Sequence, residues 1–183
     1  MPWSAALPQT LFTSPVLSVA APITAGSLVG YLVNRGRGTK ETYKSLRKPP
    51  YYPPSWLFAP VWTVLYGMMG FAAHHATITG FSTTASLTLR ELTASSQTLY
   101  VSQLALNYLW MPLFFGMGKP SWALADILML GVNVGALLRT WWKTDCTAFW
   151  LMMPYAAWLG YATYLNAAIG VVNNWTLRED KRE

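Results

Sequence analysis

The chain has 183 residues, of which 53% are hydrophobic and only 11% are charged. Soluble domains carry roughly 25% charged residues, so this composition excludes an ordinary soluble protein and predicts an integral membrane protein in a lipid bilayer. The net charge of +6 does not indicate a nucleic-acid partner, because the basic residues lie between apolar stretches. The mean hydropathy of +0.26 is modest because that scale scores Trp and Tyr as polar, and the chain has ten of each.

A membrane core about 30 Å thick requires roughly 20 apolar residues per helix. Five segments satisfy this length and predict an all-α bundle of five transmembrane helices, forming one domain over 1–183 with a short charged tail at 173–183. A loop rich in Ser and Thr, residues 80–96, is expected between the second and third spans. In chain order the predicted spans are about 15–34, 55–78, 97–117, 121–141 and 146–172.

A basic loop rich in proline precedes the second span. Pro49, Pro50, Pro53 and Pro54 fix φ and lack an N–H donor, so this loop is predicted to be extended and rigid. Proline also suits the first turn of a helix, where the N–H groups have no partner. A stiff loop above an aromatic-rich helix favours a flat, apolar ligand.

The basic residues predict the orientation, because loops rich in Lys and Arg stay on the cytosolic side. With five spans, the first loop, the turn at 118–120 and the tail share one side and hold ten of the thirteen Lys and Arg residues. The other three are Arg90, Arg139 and Lys143. We therefore expect the C-terminus and the proline-rich loop to be cytosolic.

Polar and aromatic residues form stripes along the predicted helices. Gln103, Asn107 and Trp110 share one face of the third span, at spacing i, i+4, i+7. Because isolated polar groups are costly in hydrocarbon, these faces are expected to turn toward a common interior. The stripes on the other spans are Trp62 and Tyr66; Trp122, Asp126 and Asn133; and Tyr155, Trp158, Ala162 and Leu165.

Each stripe has a structural interpretation beside a functional one. Asp126 is the only acid in any span; it is either a polar partner for a ligand or an acid near a helix start that bonds a neighbouring helix. Gln103 and Asn107 either orient a ligand or join helices through hydrogen bonds. Trp62 and Trp158 either line a pocket or pack the core.

Several kinds of chemistry are not predicted. The single Cys146 excludes an internal disulfide, and residues 1–15 hold no Lys or Arg, so no signal peptide is expected. His74 and His75 point about 100° apart on a helix, so they make no two-ligand metal face. No metal or cofactor is expected, and no His lies where it would activate a hydroxyl for hydrolysis.

A series of motifs runs in order across about residues 28–166. They are Lys48-Pro49, Pro53-Pro54, Pro60-Val61-Trp62, Leu65-Tyr66, Gln103-Leu104-Ala105-Leu106-Asn107, Trp110, Pro112, Phe114-Phe115-Gly116, Trp122-Ala123-Leu124, Asp126, Pro154-Tyr155, Ala157-Trp158-Leu159 and Thr163-Tyr164-Leu165-Asn166. In these motifs the chain resembles the TspO/translocator protein family, once called peripheral benzodiazepine receptors. Their order and coverage of the chain make the resemblance specific.

The resemblance implies a five-helix bundle, usually a homodimer, with a pocket that opens toward the cytosol beneath the first loop. Family members bind protoporphyrin IX and other tetrapyrroles, and some bind sterols. Residues 166–173 lack the Tyr and basic residue of the animal sterol motif, which lowers the expectation of tight sterol binding. The pocket residues carried over are Trp62, Asn107, Trp110, Trp122, Trp158, Ala162 and Leu165, to which the stripes add Tyr66 and Asp126.

Three functions remain open. The leading hypothesis is a membrane receptor or carrier for tetrapyrroles and other planar lipophilic ligands, which is not an enzyme. The alternative is light-dependent porphyrin degradation, for which the resemblance implies Trp62 and Trp158 as the reacting tryptophans. A third hypothesis is a ligand-regulated scaffold that docks partners through the tail at 178–183. The resemblance also implies the outer mitochondrial membrane for a eukaryotic member and a bacterial membrane otherwise.

Overall fold

The computed structural model describes residues 8–35 and 46–177, and in these ranges the regular structure is entirely helical. A 3₁₀ turn, Ser55–Leu57, precedes the third helix, and a π-helical turn, Pro112–Gly116, extends the fourth. The charged tail at 178–183, through which the scaffold hypothesis would have partners dock, lies outside the described residues. The α-helices are α1 (Thr10–Thr13), α2 (Pro15–Arg35), α3 (Phe58–Gly80), α4 (Leu87–Met111), α5 (Pro120–Thr144) and α6 (Cys146–Val172).

Among the described residues, three helical segments are long and apolar enough to cross a membrane, namely Pro15–Arg35, Ser55–Gly80 and Pro120–Thr144. Helices α4 and α6 have comparable lengths of 25 and 27 residues. They are less apolar on the hydropathy scale, because α4 is rich in Ser and Thr and α6 in Trp and Tyr. The prediction of a membrane-embedded helical protein therefore holds, whereas the count of five transmembrane helices stays a prediction.

Helix α4 begins earlier than the sequence suggested. The Ser and Thr residues expected to form a loop as far as residue 96 are helical from Leu87 onward. The Ser86 hydroxyl caps this helix by accepting a hydrogen bond from the Leu89 N–H at 3.2 Å. Inside the helix the Thr93 hydroxyl donates to the Leu89 carbonyl at 2.8 Å, so this buried hydroxyl is satisfied within its own helix.

The half of the bundle distant from the proline-rich loop is a solid core. Met69, Gln103, Met152 and Tyr155, from α3, α4 and α6, are each 0% exposed. The N-terminal segment closes this end, because the Phe12 ring is buried and packs edge-on against Tyr100, with ring centroids 6.2 Å apart. Any ligand cavity must therefore lie in the other half of the bundle.

The turn between α5 and α6 is attached to α3. The Asp145 side chain caps α6 by accepting a hydrogen bond from the Ala148 N–H at 2.9 Å. Its second oxygen, Oδ2, lies 2.7 Å from His75 Nδ1 on α3. His75 on α3 thus pairs with the carboxylate that caps α6.

At the opposite end of the bundle, reciprocal hydrogen bonds join the segment that begins the proline-rich loop to the residue that follows α6. The Arg47 N–H donates to Asn173 Oδ1, and Asn173 Nδ2 donates to the Arg47 carbonyl, both at 3.0 Å. Next to this pair Leu46 and Leu177 are buried with Phe114. The start of the proline-rich loop is therefore fixed to the end of α6.

Candidate ligand-binding cavity

A cavity of about 490 Å³ lies in the half of the bundle next to the proline-rich loop. Helices α2 to α6 all contribute to its wall, and Tyr52, Ser55 and Phe58 cover it from the loop side. Its position follows from the packing, since the fully buried residues Met69 and Tyr155 begin the solid core beyond it. The cavity is therefore closed at its inner end.

Seven of the nine residues predicted to bind a ligand line this cavity, and two do not. Trp122 is 63% exposed on the outer surface of α5. Asp126 is buried but is not part of the cavity wall, and neither of its carboxylate oxygens has a hydrogen-bond partner among the described residues. The seven lining residues are Trp62, Tyr66, Asn107, Trp110, Trp158, Ala162 and Leu165.

Several residues of the wall were not predicted. Helix α2 contributes Gly26, Val29 and Asn34, whose spacing i, i+3, i+8 places them on one helical face. That spacing was the available indication, but the face has no aromatic or charged residue to mark it. On the other helices the unpredicted lining residues are Phe58, Tyr108, Met111, Phe114, Phe115, Ile127, Leu130, Leu159, Asn166 and Ile169.

A chain of hydrogen bonds forms the inner boundary of the cavity. The Tyr66 hydroxyl on α3 donates to Asn107 Oδ1 on α4 at 2.6 Å. Asn107 Nδ2 in turn donates to the Tyr155 hydroxyl oxygen on α6 at 3.1 Å. Asn107 therefore joins three helices and also faces the cavity, so its structural and functional interpretations are compatible.

Most other polar groups of the wall are also engaged within the protein. The Tyr108 hydroxyl donates to the Pro22 carbonyl at 3.0 Å, and the Trp110 indole N–H donates to Asn166 Oδ1 at 2.9 Å. By contrast, the indole N–H groups of Trp62 and Trp158 have no hydrogen-bond partner among the described residues. The wall thus offers a ligand two indole donors and a mainly apolar, aromatic surface.

The aromatic rings of the wall support one another. The Trp62 ring centroid lies 5.2 Å from that of Tyr66 and 6.2 Å from that of Tyr155. Trp158 meets Phe58 edge-on, with centroids 6.1 Å apart and an interplanar angle of 77°. Because offset and edge-on aromatic pairs are favourable, these contacts hold both tryptophans in defined positions at the cavity.

The proline-rich loop is fixed over the cavity by two tyrosines of α6. The Tyr161 hydroxyl donates to the Tyr51 carbonyl at 2.6 Å, and the Tyr164 hydroxyl donates to the Pro50 carbonyl at 3.1 Å. Tyr51 adopts a φ of 61°, in the left-handed region that non-glycine residues rarely occupy. The hydrogen bonds therefore hold a strained turn, which places Tyr52 against the cavity.

The fold and the cavity define a class of protein: a helical membrane protein with a closed-ended aromatic cavity. The sequence pattern of the TspO/MBR family matches residues 18–172, and the chain belongs to this family.

Relatives of this chain occur in eukaryotes, bacteria and archaea. A translocator protein homolog of Schizosaccharomyces pombe is 39% identical over 144 residues, which cover 79% of this chain and 85% of the relative. The translocator protein of Ovis aries is 38% identical over 167 residues, covering 90% and 88%. A tryptophan-rich sensory protein of Cereibacter sphaeroides is 34% identical over 158 residues, covering 85% and 87%.

Proposed function

We propose that this protein is a membrane receptor or carrier that binds tetrapyrroles such as protoporphyrin IX, and related planar lipophilic molecules, in the aromatic cavity. The observation that carries the proposal is the chemistry of the wall. About 490 Å³ of space falls within the roughly 300–1,000 Å³ typical of small-molecule sites. Family membership supports the broader function, because relatives are named as translocator and sensory proteins.

The wall favours a ligand that is flat, largely apolar and equipped with hydrogen-bond acceptors. Aromatic faces provide stacking and apolar area, whereas the hydroxyl and amide groups of Tyr66, Asn107 and Tyr108 are already engaged. A ligand with many donors would lose its water without gaining partners. Sterols meet the requirement for apolar area, but their saturated rings are less flat and carry a single hydroxyl group, so we rank them second.

The proposal includes a topology and an assembly. In this topology all five long helices cross the bilayer, and the Lys and Arg distribution supports a cytosolic position for the C-terminus and for the loop end of the cavity. Two copies form a homodimer, for which Gly131 and Gly135 on α5 leave room, since an added Cβ at either meets no atom within 4 Å. The membrane of residence is the outer mitochondrial membrane in a eukaryote and a bacterial membrane otherwise.

A dark titration tests the binding function. Purified protein in detergent is titrated with protoporphyrin IX while tryptophan fluorescence is followed, and saturable quenching is expected. Trp158→Ala should weaken binding about tenfold or more, because it removes a large aromatic surface from the wall. Trp150→Ala is the matched control: it lies on the same helix, is 60% exposed and is remote from the wall. Equal affinities of the two variants would refute the assignment of the cavity.

Light-dependent porphyrin degradation is the second candidate, and the aromatic contacts of Trp62 favour it. The Trp62 ring lines the cavity, and its centroid lies within 6.2 Å of the ring centroids of both Tyr66 and Tyr155. An electron could pass between these rings over a short distance. Under this hypothesis Trp62→Phe preserves binding of protoporphyrin IX but abolishes the protein-dependent change in its absorption spectrum under illumination. Equal rates of photobleaching with and without protein would reject the enzymatic function and leave the binding function in place.

A further inference from the structure

Asn166 lies at a junction of three helices. It is on α6, is 1% exposed and forms part of the cavity wall. Its Oδ1 accepts a hydrogen bond from the Trp110 indole N–H of α4 at 2.9 Å. Its Nδ2 donates to the carbonyl oxygen of Pro120, in the first turn of α5, also at 2.9 Å. One buried amide thus connects α6 to both α4 and α5.

The bond to the indole selects the orientation of the Trp110 ring. The indole N–H is the only hydrogen-bond donor of a tryptophan side chain, so a fixed acceptor favours one ring orientation. In this orientation the ring stacks on Phe114, with centroids 4.9 Å apart and an interplanar angle of 21°. Phe114 is itself 1% exposed and cannot easily move away. The Phe115 ring meets Trp110 edge-on, with centroids 6.1 Å apart, and Trp110 also forms part of the cavity wall.

We infer that Asn166 is a positioning residue of the cavity: by holding the Trp110 indole, it fixes a flat surface against which a planar ligand packs. This inference rests on the proposed binding function and adds to it a residue that acts through Trp110. The alternative to this positioning role is a purely structural one, in which the bond from Asn166 to Pro120 joins α6 to α5 without involving the indole.

Two substitutions separate these two bonds. Asn166→Leu removes both bonds. Asn166→Asp keeps an oxygen that accepts from the indole and, when its new carboxyl group is ionised, has no donor for Pro120; infrared spectroscopy checks that state, because a neutral acid would keep the donor. The probe is the dimethyl ester of protoporphyrin IX, titrated in the dark, because a neutral ligand is not repelled by the new carboxylate. If Asn166 acts through Trp110, Asn166→Leu weakens binding about tenfold and Asn166→Asp changes it by less than about twofold, as expected for one buried hydrogen bond.

The indole provides a readout that a merely structural role would not change. The Nε1–H proton resonance of Trp110, assigned by its disappearance in Trp110→Phe, should move upfield in Asn166→Leu, where the acceptor is lost, and should not move upfield in Asn166→Asp, where an acceptor remains. Trp110→Phe should weaken binding as Asn166→Leu does, and combining the two should add little to either loss. Equal losses of affinity in the Asp and Leu variants, or an unmoved resonance in Asn166→Leu, would overturn the inference.

This design distinguishes failure of the inference from failure of the proposed function. If the wild-type protein binds neither protoporphyrin IX nor its dimethyl ester, the proposed function fails, and the indole resonance alone decides whether Asn166 holds Trp110. If the wild-type protein and Asn166→Leu bind equally well, the proposed function stands and the positioning role is rejected. If Asn166→Leu does not fold, unchanged binding by Trp110→Phe rejects the inference.

Discussion

Gly26 provides the space in which Tyr66 reaches its hydrogen-bond partner, and Gly26→Ala should close that space. Gly26 lies on α2 beside the cavity, and the Tyr66 ring of α3 packs directly against its Cα. From this position the Tyr66 hydroxyl donates to Asn107 Oδ1. The substitution therefore tests whether the inner boundary of the cavity depends on a close approach between α2 and α3.

The size of the effect follows from the distances. An added Cβ at Gly26 would lie 2.7 Å from Tyr66 Cζ and 3.0 Å from the hydroxyl oxygen. Ordinary contacts are about 3.5–4.0 Å, so the ring must retreat by about 1 Å. The hydroxyl, now 2.6 Å from Asn107 Oδ1, then exceeds hydrogen-bond distance. Overpacking and the lost bond each cost about 1–3 kcal/mol and partly overlap, so we expect the free energy of unfolding to fall by about 2–4 kcal/mol.

Unfolding in mixed micelles with an increasing fraction of denaturing detergent measures this free energy. Gly30→Ala is the matched control, one turn further along α2, where an added Cβ meets no atom within 4 Å. It should be neutral or stabilising by up to about 1 kcal/mol, because alanine favours the helix. In a Tyr66→Phe background the bond is already absent, so Gly26→Ala should cost less. Equal stability of Gly26→Ala and Gly30→Ala would refute this reasoning.

Two further substitutions test contacts between helices by the same unfolding measurement. Gly70→Ala should lower the free energy of unfolding by about 3 kcal/mol, because its Cβ would overlap the backbone carbonyl of Ser18, which cannot rotate away. Gly67→Ala meets open space and should be nearly neutral. Similar losses of stability in both variants would contradict this reasoning. His75→Ala should lower the free energy of unfolding by about 1–3 kcal/mol, because it leaves the buried Oδ2 of Asp145 without its partner. An unchanged midpoint of the unfolding transition would show that the pair contributes nothing to stability.

The helices could be predicted wherever an apolar run was bounded by turn residues. The span predicted at 146–172 coincides with α6, and that predicted at 15–34 ends one residue before α2 does. The start of α4 could not be predicted, because Ser and Thr also favour loops. Their helical state here depends on packing: Thr93 and Ser96 are each 2% exposed, which requires the neighbouring helices to be in place.

The cavity was predicted in part because its polar and aromatic residues repeat with helical spacing. That spacing places Trp62 beside Tyr66, but it cannot show which edge of a stripe faces inward. On α5 the buried face is centred on Ile127 and Leu130, and Trp122 falls outside it. Contacts between residues distant in sequence, such as the Trp110–Asn166 bond, depend on helix packing that no local pattern encodes.

The closed inner end of the cavity bears on the choice between a receptor and a carrier. A ligand that enters beneath the proline-rich loop meets the Tyr66–Asn107–Tyr155 hydrogen bonds and then a core whose residues are fully buried. Interiors packed to this degree do not open without large rearrangement. Transfer through the bundle would have to break these bonds and displace Met69 and Met152. Exchange at the loop breaks two bonds from tyrosine hydroxyls to backbone carbonyls, while the Arg47–Asn173 pair can keep the start of the loop in place. The less costly path uses one opening for both binding and release, which favours a receptor, or a carrier that exchanges ligand on one side of the membrane, over a channel.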